Sequence, residues 1–167
     1  MATFVRTDGN SETAMGLSFA SSVLINCSSD RTPWSTTATA ILDYVWRWSD
    51  AQCINASDEA FGIVWWNQEH PGPVAHWAAT DYGDNAGNVL IGSAVTRALA
   101  QTGSWDLQML HCLFAEARTT GRHGFRPGAL SAGDIRSKGW RVFFNSTVVP
   151  RGGSGADRGS QPHYGAY

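Results

Sequence analysis

The sequence predicts a mainly α fold built from consecutive antiparallel αα-hairpins. Two observations carry that expectation. Apolar residues recur near i, i+3, i+4 through most of the readable chain. Only three residues, 102–104, separate two such stretches, a gap so short that the flanking helices must turn back on each other.

Helix 1 is expected from Ser11 to Asn26, with Met15, Leu17, Ala20, Val23 and Leu24 on its apolar side. Asp8 and Asn10 offer N-caps, and Glu12 suits the positive end of the macrodipole. Helix 2 has a clear start, because Thr32 can cap and Pro33 fits the first helical position; it carries Ala38, Ile41, Leu42, Val45 and Trp46 to about Ser49. Helix 3 spans about Asp84 to Gln101 and stops at Thr102-Gly103, where glycine can turn left-handed. Ser104 then caps helix 4, whose apolar face reads Trp105, Met109, Leu110, Leu113, Phe114 and Ala117, and Gly121 ends it. A weak fifth helix over Asp134–Phe144 is interrupted by Gly139. The stretch "FGIVWW" (Phe61–Trp66) reads as extended without making a sheet, and the long connection from Asp50 to Tyr82 should fold over one end of the helices. Residues 151–162, "RGGSGADRGSQP", read as a flexible Gly/Ser-rich loop, so the chain is taken as one helical domain over 1–167.

Composition narrows the function. Net charge is −2 with scattered basic residues, which removes the electrostatic case for nucleic acid or an anionic membrane. The first residues lack the apolar core of a signal peptide, and no apolar run nears the ~20 residues of a membrane span, so a cytoplasmic location is expected. Cys27, Cys53 and Cys112 show no paired spacing and read as buried free thiols; no His pair has ligand spacing, so neither a metal nor a cofactor is expected. Eight tryptophans are unusual at this length and mean either a heavily packed core or stacking surfaces for a flat ligand.

Several stretches carry a family resemblance: "RTDGNSETAMGLSFA", "ILDYVW", "FGIVWWN", "YGDNAGNVLIGSAVTRALAQTG", "ARTTGRHGFRP", "KGW" and "PHYGAY". Together they make the chain similar to six-hairpin glycosidase-like proteins, whose hairpins close into an (α/α)6 toroid. Members of that family often read Asp-Asp-Asn where this chain has Gly83-Asp84-Asn85. The resemblance implies carbohydrate chemistry on part of such a toroid, its N-terminal half, with little or no activity expected of this chain alone. It further implies self-association through the exposed flanks of the terminal hairpins.

In such a ring the N-termini of the inner helices gather at one end. The resemblance therefore makes Asp84, with Glu12 or Asp81 as partner, the candidate acid/base pair, since glycoside cleavage needs one carboxyl group to protonate the leaving oxygen and another to activate water or attack carbon. Capping and dipole complementarity account equally for acidic residues at helix starts. Trp65-Trp66 is the candidate sugar platform, of which at most one can face a ligand because neighbours in an extended strand point opposite ways. Asn67, Tyr82 and Asn85 are candidate hydroxyl partners. Arg118 and Arg126 are candidates to pair with the carboxylates or hold an acidic sugar, and His163 and Tyr164 to reach the same cleft. A non-catalytic carbohydrate-binding module, or a structural helical module with a tryptophan-rich core, remains the alternative.

Overall fold

The computed structural model describes residues 6–24, 32–66, 79–101, 103–124 and 129–147, and these form a mainly helical body. The helices are α1 (Thr7–Val23), α2 (Thr32–Asp43, continued by a π-helical turn over Tyr44–Trp48), α3 (Asp84–Ala100), α4 (Asp106–Thr119), α5 (Ala132–Lys138) and α6 (Trp140–Phe144). Two short strands, β1 (Thr80–Asp81) and β2 (Leu130–Ser131), pair antiparallel with Thr80 opposite Ser131. Among the described residues no helix is long and apolar enough to cross a membrane.

The broadest helix contact joins α1 to α3, and its chemistry is unexpected. The buried positions of α1 are Thr7, Asp8, Ser11, Ala14, Ser18 and Ser21, and those of α3 are Asn85, Ala86, Val89, Gly92, Ser93 and Thr96. Small residues on both sides let the backbones approach closely. Buried hydroxyls are satisfied on their own helix: Ser11 donates to the Thr7 carbonyl at 2.7 Å, Ser18 to Ala14 at 2.8 Å and Ser93 to Val89 at 2.7 Å. Ser18 also bonds the Thr96 hydroxyl across the interface at 2.9 Å. Because Glu12 meets Asn88 near one end and Ser18 meets Thr96 further along, α1 and α3 run parallel. α2 runs against α3, with the Trp46 indole on Ser93 (2.8 Å) and the Trp105 indole on Asp43 (2.9 Å).

Several boundaries differ from the expectation. α1 starts at Thr7 rather than Ser11, so Asp8 lies within its first turn instead of capping it, and the N-cap residue Arg6 makes no side-chain capping bond. α3 ends with Gln101 in the left-handed region at φ 53°. Gly103, at φ 91°, passes instead over the Trp105 ring, where a Cβ would sit 2.3 Å from a ring carbon. Trp105 precedes α4 and is fully buried. The contact between α3 and α4 is narrow, with an Arg97–Asp106 ion pair at the junction. The predicted apolar face of α4 is corrected as well. Its inner face is Cys112, Ala115 and Thr119, while Leu107, Leu110, Leu113 and Phe114 are between 46% and 62% exposed. Gly139, at φ 75°, divides α5 from α6 as its position suggested.

Two clusters of buried side chains result. One gathers Ala14, Ala38, Leu42, Val45, Trp46, Val64, Val89 and Trp105 between α1, α2 and α3. The other gathers Ile63, Trp65, Ala115, Leu130, Ile135 and Phe143 around α4, α5 and α6.

A methyl group at Gly92 would lie 2.8 Å from the Ser11 carbonyl oxygen, whereas nothing lies within 4 Å at Gly16. In denaturant unfolding, Gly92→Ala should therefore lose about 1–3 kcal/mol from forced separation of the helices. Gly16→Ala, on the exposed side of α1, should be neutral or gain up to about 1 kcal/mol. Equal effects at the two sites would contradict the close α1–α3 packing.

Candidate functional site

The N-termini of α1 and α3 meet because one extended segment holds both. Its three consecutive carbonyls are all claimed: Val64 accepts from the Asn85 side-chain amide at 2.6 Å, Trp65 from the Thr7 hydroxyl at 2.8 Å, and Trp66 from the Thr7 N–H at 2.9 Å. Its N–H groups are claimed as well, that of Trp65 donating to Ala51 (2.7 Å) and that of Trp66 to Thr80 (2.7 Å). Alternation along it sends Val64 into the core under α1–α3 and Trp65 into the other cluster, both fully buried. Trp66 is partly exposed. The expected division of the two indoles therefore holds, with Trp65 in the core.

The turn into α3 consumes two polar residues of "TDYGDNAG". Asp81 is fully buried and accepts the Gly83 N–H at 2.8 Å, stabilising a glycine at φ 85°. Asn85, also fully buried, accepts the Tyr82 N–H at 2.8 Å while its amide holds Val64. Neither has a side chain open to a ligand. Asp84, in the first turn of α3, accepts the Asn85 N–H at 2.9 Å and keeps partial contact with solvent.

Around this turn the remaining polar groups converge. Glu12 is exposed and accepts from the Asn88 amide at 3.1 Å, one turn along α3 from Asp84. Arg6 pairs with Asp8 through Nη2 at 2.6 Å and Nε at 3.2 Å, and its guanidinium carbon lies 4.9 Å from the Trp66 ring centroid. The Asp8 hydrogen bond raises the Arg6 pKa above its ordinary value, with burial opposing and the charges of Asp8, Glu12 and Asp84 adding to the rise. The Tyr82 ring meets Trp66 edge-on, centroids 5.9 Å apart. The mouth between α1 and α3 thus holds the carboxylates of Asp8, Glu12 and Asp84, one guanidinium, an indole and a phenol.

Arg118 is elsewhere. It donates to the carbonyls of Glu59 and Phe61, lies 5.8 Å from the Trp140 ring, and its charged neighbours are Glu59 and Asp58. Burial pushes its pKa down. Its role is to clamp the 59–61 turn to the end of α4, not to face Glu12 or Asp84. Beside it, Asp58 accepts the Ala60 N–H at 2.9 Å and pairs with Arg136 at 2.8 Å. Burial opposes ionisation of Asp58, but the amide bond and Arg136 outweigh it and hold its carboxyl below the usual range. Asn67, Arg126, His163 and Tyr164 lie outside the described residues, as does the 151–162 stretch. Cys53 and Cys112 are buried and form no disulfide. Arg6, Thr7 and Asn88 were not anticipated from the sequence. The signal for the first was its two-residue spacing from Asp8, and for Asn88 its one-turn spacing from Asp84.

Comparison with known proteins adds no name to this geometry: no family model, no curated protein and no solved structure matches the chain.

Two tests check the architecture. Asn85→Ala leaves the Val64 carbonyl and Tyr82 N–H without their partner and should cost about 1–3 kcal/mol in unfolding free energy, with a weakened junction seen as faster amide exchange at Thr7 and Trp66. Asp58 has a depressed folded-state pKa, so its stabilisation is present above its unfolded value of 3.8 and is lost as pH falls through and below it. Asp58→Asn should therefore be less stable than the wild type at neutral pH, and thermal unfolding should show the gap closing in acid.

Proposed function

We propose that the chain carries the carbohydrate-binding mouth of a glycoside hydrolase-like helical domain of the six-hairpin, (α/α)6-toroid kind. The observation that carries this reading is the convergence of Glu12 and Asp84, from two parallel helix starts, beside the partly exposed Trp66 and Tyr82. The parallel α1 and α3, with α2 returning between them in sequence, support the assignment of α1 and α3 as neighbouring inner helices of such a ring. The exposed Leu107, Leu110, Leu113 and Phe114 on α4 suit a flank covered by a further hairpin or by a second copy of the chain.

The chemistry follows from position. Asp84, in the first turn of α3, is the base or nucleophile, and Glu12 is the partner that gives a proton to the leaving oxygen. Asp84 and Asn88, the residue that bonds Glu12, lie one turn apart on α3, so both carboxylates flank the same turn. Asp81, buried under the turn, is a positioning residue. With three carboxylates facing one guanidinium, the mouth suits an uncharged saccharide whose apolar face lies against Trp66 while its hydroxyls bond the carboxylates and Asn88.

The test is titration with neutral malto-, cello- and xylo-oligosaccharides, followed by tryptophan emission and by release of reducing ends. Trp66→Ala should abolish binding. Glu12→Gln and Asp84→Asn should leave binding intact and lower any turnover by about 10²–10⁴-fold each. Saccharide binding that survives Trp66→Ala would refute the mouth as the site. Binding without turnover in the wild type would favour the non-catalytic alternative.

A further inference from the structure

We infer that Arg6 is a retractable cover on the Trp66 platform, and so the residue that sets how readily the mouth accepts a ligand. This rests on the carbohydrate reading and concerns the regulation of the same site. The geometry is that of a hinged lid. Asp8, the anchor, has a side chain only 10% exposed and is fixed a second time by the Gly9 N–H at 2.7 Å, at the positive end of α1. Arg6, the moving part, is 52% exposed, sits immediately before the helix, and rests on the indole at 4.9 Å. A saccharide that stacks on that ring face and the guanidinium that lies on it compete for the same surface.

Displacement is inexpensive for three reasons. An exposed cation–π contact is weak, worth about two- to five-fold in an equilibrium. Asp8 keeps the Gly9 N–H and the helix dipole when Arg6 leaves. Glu12 and Asp84 also attract Arg6, so the displaced guanidinium stays within a field that favours it. The cover is therefore strong enough to exclude weakly stacking solutes and weak enough to yield to a good one. It also makes binding depend on salt, because a half-exposed ion pair holds the lid in place.

The experiment uses the full chain labelled with fluorotryptophan, in which Trp66 is assigned by the resonance lost in Trp66→Phe. Arg6→Ala should move the Trp66 resonance toward its solvent-exposed position without added ligand, and Asp8→Asn, which unfastens the lid but keeps it, should move it part of the way. With the oligosaccharides named above, Arg6→Ala should bind about two- to five-fold tighter than wild type. Raising salt toward about 1 M, where the screening length is ~3 Å, should tighten wild-type binding and leave Arg6→Ala unchanged. If the wild type binds and Arg6→Ala binds equally or more weakly, or if the Trp66 resonance does not move in either variant, the cover is disproved while the saccharide reading stands. If neither protein binds any of the sugars, the saccharide reading falls and the cover with it.

Discussion

Three adjacent peptide carbonyls, those of Val64, Trp65 and Trp66, organise the described structure. A helix start leaves N–H groups without partners, and an extended segment leaves carbonyls without partners. Here the two needs are met together. Thr7 supplies both its N–H and its hydroxyl to the segment, and Asn85 supplies its side-chain amide, so two helices far apart in sequence begin against one short piece of backbone. Fixing both starts on one line also fixes the helices as parallel. Arg6, Asp8, Glu12 and Asp84, at or near those starts, then lie close enough to act on one another's charge. The alternation of the segment completes the arrangement by placing Val64 and Trp65 in two different buried clusters and leaving Trp66 at the mouth.

The parallel pair could not close on this frame with bulky apolar residues between the helices. Gly92 allows the Ser11 carbonyl to come within a distance that a methyl group would not tolerate. Serines and threonines supply much of the rest of the seam, and the hydroxyls of Ser11, Ser18 and Ser93 each bond a carbonyl of their own helix, so burial carries no orphaned donor at those three positions. Less apolar area is buried per residue than in a leucine seam, and the register is correspondingly tied to hydroxyl and glycine placement rather than to bulk. The close approach has a direct consequence at the mouth: Asn88 on α3 reaches Glu12 on α1, which a wider helix spacing would not permit.

That same seam explains what the sequence disclosed and what it hid. Helix starts that rest on local chemistry were legible. The Asp84 entry into α3, the continuation of α2 to Trp48 and the break at Gly139 all follow from residues acting on their own neighbours. The mainly helical character was legible from period alone. The early start of α1 was not, because it depends on carbonyls nearly 60 positions downstream in the chain. Nor was the inner face of α1 or α4, because reading period from large apolar residues assumes that large residues face inward. In α4 the larger residues Leu107, Leu110, Leu113 and Phe114 face outward, and Cys112, Ala115 and Thr119 pack within. Arg118 was misplaced for a related reason: its charge suggested carboxylates, but its burial is compensated by the carbonyls of a turn that no periodicity marks. At the mouth, Glu12, Trp66, Tyr82 and Asp84 were anticipated individually, and Arg6, which lies among them, was not.

The density of polar residues at the start of α3 finally separates into two kinds by burial. A helix needs one or two side chains to satisfy its first N–H groups. Asp84 accepts one of them, the Asn85 N–H, while Asp81 and Asn85, fully buried, accept the Gly83 and Tyr82 N–H groups of the turn just ahead of the helix. Replacing either one disturbs the frame before it touches any ligand. Asp84 and Glu12 differ in keeping contact with solvent, which lets a carboxylate exchange a water for an incoming hydroxyl at little cost. Asp84 serves the helix start as well, and what sets it and Glu12 apart is that they meet solvent beside Arg6, whose guanidinium they attract.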